Sequence, residues 1–118
     1  MAKYMMLYNS DVSPKDMMAN ASAEEMKVSM GEWLQWRDEA AKKFKVEFGM
    51  PMQVVTRISP DGAGDSDSHV SGHGTLEGDS FDDLVEILKS HPHLKRPGAS
   101  IDVFEILGMP GISADTSR

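Results

Sequence analysis

Residues 69–88 read His-Val-Ser-Gly-His-Gly-Thr-Leu-Glu-Gly-Asp-Ser-Phe-Asp-Asp-Leu-Val-Glu-Ile-Leu, and they carry a strand straight into a helix. The spacing predicts a strand over 69–76, weakened by Gly72 and Gly74, which offer no side chain to pack. Ser80 is a good N-cap, and Asp82 and Asp83 put negative charge in the first turn, where the helix dipole favours it. Phe81, Leu84, Val85 and Leu88 then give the helix one apolar face, and Pro92 ends it.

Toward the N-terminus the same alternation of elements recurs. Residues 3–9, rich in Tyr, Met and Leu, read as a strand ending at a polar cluster, and 10–21 read as a loop. Ser22 and Glu25 have capping-box spacing. From there Met26, Met30, Trp33, Ala40 and Phe44 recur at helical spacing, which predicts a helix over 22–45. Gly49 and Pro51 break that pattern. Residues 52–59 form a β-branched run, the best strand signal in the chain, and 61–68 read as a flexible hairpin loop. A last strand is expected over 100–107, so that one domain fills residues 1–108 and a loose tail follows at 109–118.

The order β-α-β-β-α-β is that of a ferredoxin-like α+β domain, an antiparallel sheet with both helices on one face. The first strand is apolar on both faces: Met5 and Leu7 oppose Tyr4, Met6 and Tyr8. In the last strand Ile101, Val103 and Leu107 oppose Phe104 and Ile106. Two helices cover only one face, so the second needs another cover. A copy of the same chain is the simplest one, and the expected assembly is a homodimer packed sheet to sheet. Ten methionines suit a packed core or such an interface.

Composition narrows the partners. A net charge of -7 works against nucleic acid, since Lys42, Lys43 and Lys45 and then Lys89, Lys95 and Arg96 sit where helix ends favour cations. No apolar run is long enough to span a bilayer, and no secretory signal is read at the N-terminus. The absence of cysteine fits a reducing compartment, and the expected location is cytoplasmic.

Three pieces carry a likeness to a known family. Residues 72–83 read Gly-His-Gly-Thr-Leu-Glu-Gly-Asp-Ser-Phe-Asp-Asp; His91-Pro92-His93-Leu94 follows; and 98–106 close with Gly-Ala-Ser-Ile-Asp-Val-Phe-Glu-Ile. Together with the Lys-Tyr-Met-Met-Leu-Tyr strand and the Trp-bearing helix, they resemble the YCII-related (DGPF-like) proteins. The resemblance implies a dimeric α+β barrel and little agreed biochemistry. The chain departs from the pattern at two places: the hairpin reads Asp61-Gly62-Ala63-Gly64 without Asp-Gly-Pro-Phe, and His73 stands where relatives usually carry Tyr.

The candidate chemistry lies in a few residues. His91 is a candidate general base, or a group that caps the last carbonyls of its helix. His73 is a candidate catalytic residue lining a cavity, whereas His69 suits a surface or dimer face. Their Cα atoms would be roughly 13 Å apart over four strand steps of about 3.3 Å, too far for one metal. Arg37 falls inside the apolar helix stripe and must find a partner there. One reading pairs it with Glu32 or Glu39; the other sets it beside Trp33 as a clamp for an anionic molecule, with Arg57 in a similar role. Gly62-Ala63-Gly64 lacks the Lys and the following helix of a phosphate loop. No cofactor or metal is expected. The function expected is binding of a small anionic or aromatic metabolite, with acid–base catalysis by His73 or His91 as its enzymatic form. The alternative is a non-catalytic dimerisation or sensing module.

Overall fold

The computed structural model describes residues 2–112. Its main sheet has four antiparallel strands in the order β2 (Lys45–Phe48), β5 (Val70–Gly78), β1 (Ala2–Asn9) and β6 (Ser100–Glu105). Three α-helices accompany it among the described residues: α1 (Pro14–Asn20), α2 (Ala23–Ala40) and α3 (Phe81–Lys89). A second sheet is a small hairpin of β3 (Arg57–Ser59) and β4 (Gly62–Gly64). This is a mixed α+β architecture compatible with a ferredoxin-like fold.

Local chemistry sets the helix starts. The Ser22 hydroxyl accepts from Glu25 N–H while the Glu25 carboxylate accepts from Ser22 N–H, closing the anticipated capping box. Ser80 accepts from Asp83 N–H at 3.2 Å and starts α3 in the same way. The segment expected to be a loop at 10–21 contains α1 instead. There Ser13 caps Asp16 N–H, and Pro14 occupies the first turn, where its missing N–H costs nothing.

The largest departure concerns the second sheet strand. It is Lys45–Phe48, which begins at the last residue of the helix expected over 22–45 and continues through residues for which no element is expected. The helix stops at Ala40, and a turn tucks the Phe44 ring against Gly78, where any Cβ would lie 2.3 Å from the ring. That anchor starts the pairing at Lys45↔Glu77. Beyond β2, Gly49 N–H reaches the His73 carbonyl and Met52 N–H the Ser71 carbonyl. By then almost all of β5 has been used. The β-branched run at 52–59 therefore has no sheet left to join, and its end folds back on β4. β6 is likewise shorter than expected, ending at Glu105. The tail begins with a tight turn in which Met109 and Ile112 bridge; residues 113–118 lie outside the described residues.

Alternation in the strands divides the side chains. Met6 and Tyr8 of β1, Leu76 of β5, Val46 and Phe48 of β2, and Ile101 and Val103 of β6 belong to the helix-facing set. They pack with Trp36 and Ala40 of α2, Phe44, and Leu84 and Leu88 of α3. Burying a side chain such as Leu84 stabilises by about 1.5–3 kcal/mol. Met5, Leu7, His73, Thr75, Asp102 and Phe104 take the opposite face, which no helix among the described residues covers.

Candidate functional site

The chemically distinctive place is the helix-facing end of the sheet, where β1 finishes. Alternation from Met6 puts Tyr8 on this face, and its ring is 2% exposed. After α3, His91 enters the core from the other side, also 2% exposed, because Pro92 starts a short 3-10 turn over Pro92–Lys95 that reverses the chain. The His91 Nε2 and Tyr8 Oη atoms stand 3.1 Å apart.

The hydrogen bonds assign the protons. His93 N–H donates to His91 Nδ1 at 3.0 Å, so Nδ1 is an acceptor and the imidazole proton sits on Nε2. Nε2–H then donates to Tyr8 Oη, and the Tyr8 hydroxyl donates to Met6 Sδ at 3.7 Å. His93 Nε2–H donates to the Asn9 carbonyl at 2.8 Å, fastening the turn to the end of β1. His91 thus caps the turn that follows it rather than the carbonyls of α3.

Aromatic rings enclose this pair. Around His91, Trp36 lies at 4.3 Å between centroids, Trp33 at 4.5 Å and edge-on, and Phe48 at 6.5 Å. Trp36 Nε1–H donates to the Ile87 carbonyl at 2.8 Å and locks α2 to α3. Burial, reinforced by the neighbouring His93, holds the His91 pKa down to about 3. Burial also lowers that of His93, and it raises that of the Tyr8 phenol far above its ordinary value. Among the described residues, every buried side-chain nitrogen or oxygen has a hydrogen-bond partner. In this arrangement His91 is a neutral donor whose only lone pair is occupied.

The other expected site residues lie elsewhere. His73 is on the uncovered face, its ring set over Gly49, where a Cβ would come within 2.0 Å of Nε2. The sheet itself therefore stands between His73 and His91. Arg37 turns outward from the stripe, with a side chain 45% exposed, and lies 3.6 Å from Asp38; neither Glu32 nor Glu39 pairs with it. Arg57 is on the β3–β4 hairpin and pairs with Asp67 at 2.9 Å. Of the five residues singled out, only Trp33 and His91 come together. Tyr8, Trp36, Phe48 and His93 complete their cluster, and none of the four is among the site residues expected from the sequence. One signal was present for Tyr8: alternation placed a phenol on a strand face with Met6, where its hydroxyl had to find a partner.

Two cavities open nearby, and neither is lined by His73, Arg37 or Arg57. A groove of about 340 Å³ between α2 and α3 is walled by Glu32, Gln35, Trp36, Glu39, Ile87 and Lys95. Lys95 bridges across it to Glu32. A smaller one of about 90 Å³, near the end of β1, includes Ser10, Asp11, Gln53, Ser68 and His69. No described helix is long and apolar enough to cross a membrane. The sequence matches no protein-family model and no curated protein.

Proposed function

We propose that this chain is a non-catalytic homodimerisation module of the YCII-related type, acting in the cytoplasm and pairing through the uncovered face of its sheet. The observation that carries the reading is the contrast between the two faces. The helix-facing side is closed around a satisfied, neutral His91, whereas the opposite side carries an apolar patch of Met5, Leu7 and a Phe104 that is 52% exposed, set among polar residues such as Lys3, His73, Thr75, Glu77 and Asp102. A closed aromatic core offers a substrate no entry, and an exposed apolar patch on a sheet face without helices suits a partner. Two such faces stacked on a two-fold axis would make the dimeric α+β barrel that the family resemblance implies. Light scattering is expected to report a dimer at micromolar concentration, weakened by Phe104→Asp. A monomer there refutes the reading.

One observation favours a second reading, a small-molecule-binding domain. The groove between α2 and α3 has the volume of a ligand site. Its walls carry Glu32 and Glu39 against one cation, Lys95, so it suits an aromatic or aliphatic amine that displaces the Lys95–Glu32 and Lys42–Glu39 pairs better than the anionic metabolite anticipated from Arg37. A thermal-shift screen of amines tests this. A ligand at about 100 times its Kd adds roughly 2.7 kcal/mol of stability, and the shift is expected to vanish in Glu39→Gln.

A further inference from the structure

Asp61-Gly62 is the one place in the chain where an Asp or Asn stands directly before a glycine; every other Asp and Asn precedes a residue with a side chain. The pair lies at the turn of the β3–β4 hairpin, where Pro60 and Asp61 link the paired residues Ser59 and Gly62. Gly62 has a φ of 122°, a region that side chains rarely enter, so the turn itself selects glycine. The same missing Cβ leaves the Gly62 backbone nitrogen open. Apart from its chain neighbours, no atom lies within 4 Å of where a side chain would begin.

Asp61 is equally unhindered. Every residue from 54 to 65 is exposed. The Asp61 N–H donates to Ser59 Oγ at 3.3 Å, but its carboxylate meets no hydrogen-bond donor and no cation among the described residues. The hairpin has three residues a side, and a two-stranded ribbon of that size is marginal in water. Rotation about the Asp61 backbone bonds therefore meets little resistance, and it brings the carboxyl carbon against the Gly62 nitrogen. Other aspartates are held. Asp67 pairs with Arg57 at 2.9 Å, Asp102 accepts from Asn9 at 2.9 Å, and Asp38 lies inside α2, where the amide that follows it belongs to the helix. Asp65 shares the exposed stretch, but the side chain of Ser66 shields the next nitrogen.

We propose that Asp61-Gly62 is a self-modification site, at which the chain converts aspartate to isoaspartate through a cyclic succinimide. The Gly62 nitrogen attacks Asp61 Cγ. The N–Cγ bond forms, the amide hydrogen and the carboxyl OH leave together as one water, and the imide closes. Water then adds back at one of the two carbonyl carbons. Breaking the N–Cγ bond restores aspartate. Breaking the bond from nitrogen to the main-chain carbonyl carbon of Asp61 leaves a backbone that runs through Cβ and Cγ, with a free carboxylate on Cα. No oxidant or cofactor enters, and the composition of the chain is unchanged. The isoaspartate adds one atom to the main chain between Ser59 and Gly62, so Ser59↔Gly62 and Ile58↔Ala63 lose their register. The main sheet keeps its pairing, because β3 and β4 form a sheet of their own.

The test is incubation of the folded full chain at neutral pH in heavy-oxygen water, followed by peptide mapping with fragmentation that separates isoaspartate from aspartate. Isoaspartate carrying solvent oxygen is expected at residue 61, forming at least tenfold faster than at Asp65. Asp61→Asn, whose leaving group is ammonia, is expected to reach the same product faster. Asp61→Glu, which would have to close a larger ring, is expected to stay unchanged. Conversion at residue 61 no faster than at Asp65, or without uptake of solvent oxygen, overturns the proposal. A second measurement reads the role of the fold. The rate in the folded chain is expected to lie within tenfold of that in a peptide spanning residues 54–68. A greater retardation shows that the hairpin protects the bond, and the proposal falls.

Discussion

Lowering the pH from 7 to 5 is expected to cost the folded state about 2 kcal/mol through His91 alone. In the unfolded chain the imidazole titrates near 6.5; in the fold, burial and the neighbouring His93 hold it down to about 3. The folded pKa is depressed, so this group's contribution is complete above pH 6.5 and is lost as pH falls toward 3, because the unfolded chain takes up the proton first. At pH 5 the gap from 6.5 is about 1.5 units, and each unit is worth about 1.36 kcal/mol. The figure depends only on the folded value lying well below 5. Geometry gives an independent reason for that: a proton on Nδ1 would face the His93 N–H that now donates to it. His93, also lowered by burial, acts in the same direction.

Urea unfolding at pH 7 and pH 5, at one protein concentration, reads the effect as a midpoint shift of about 1 M for a slope near 2 kcal/mol per M. The control is His91→Asn, whose Oδ1 keeps an acceptor near the Nδ1 position but does not titrate. That variant is expected to be less stable at pH 7 and to lose about 2 kcal/mol less between the two pH values. Carboxylates ordinarily titrate near 4, below this window, and cancel between the proteins. Equal losses in wild type and variant would show that His91 takes up its proton freely in the fold, and the closed-core account would fail.

Tyr8→Phe removes the acceptor of His91 Nε2–H inside the core and is expected to cost about 1–3 kcal/mol in urea unfolding. Gly31→Ala and Gly78→Ala are expected to have opposite signs. Position 31 has open space within α2 and gains about 0.5–1 kcal/mol, whereas a Cβ at 78 meets the buried Phe44 ring and costs about 1–3 kcal/mol. Ser22→Ala breaks the capping box and is expected to lose about 1 kcal/mol, read by thermal melts followed at 222 nm.

Features built from neighbouring residues were legible in the chain. The Ser22–Glu25 box and the Ser80 cap are short-range hydrogen bonds, so three residues suffice to specify them. The alternation that puts Met6 and Tyr8 opposite Met5 and Leu7 follows from strand geometry alone. The helical stripe was only half right. Ala40 and Phe44 reach the core, but Met26 is 44% and Met30 61% exposed, because the first half of α2 has nothing beneath it. Periodicity says which side chains share a face; it does not say where the neighbouring element ends.

The candidate site was legible in pieces but not as an arrangement. Trp33 and His91 were recognised as unusual residue types, yet their meeting depends on a contact between chain segments separated by nearly half the sequence. His73 and Arg57 carried the same chemical promise and ended on the far face of the sheet and on the hairpin.

The sequence by itself determined the α+β class, the caps of α2 and α3, and the two-faced apolar character of β1, since all of these arise within a few consecutive residues. Only the tertiary structure decided which segment became the second sheet strand. Residues 52–59 have the higher strand preference, but Lys45–Phe48 takes the place because Phe44 is anchored at Gly78 and the chain leaving it meets β5 first. Strand identity is a matter of available pairing and burial more than of intrinsic preference. The same holds for His91: its residue type makes it a switchable base in water, and the rings of Tyr8, Trp33 and Trp36 closing around it make it a neutral core donor.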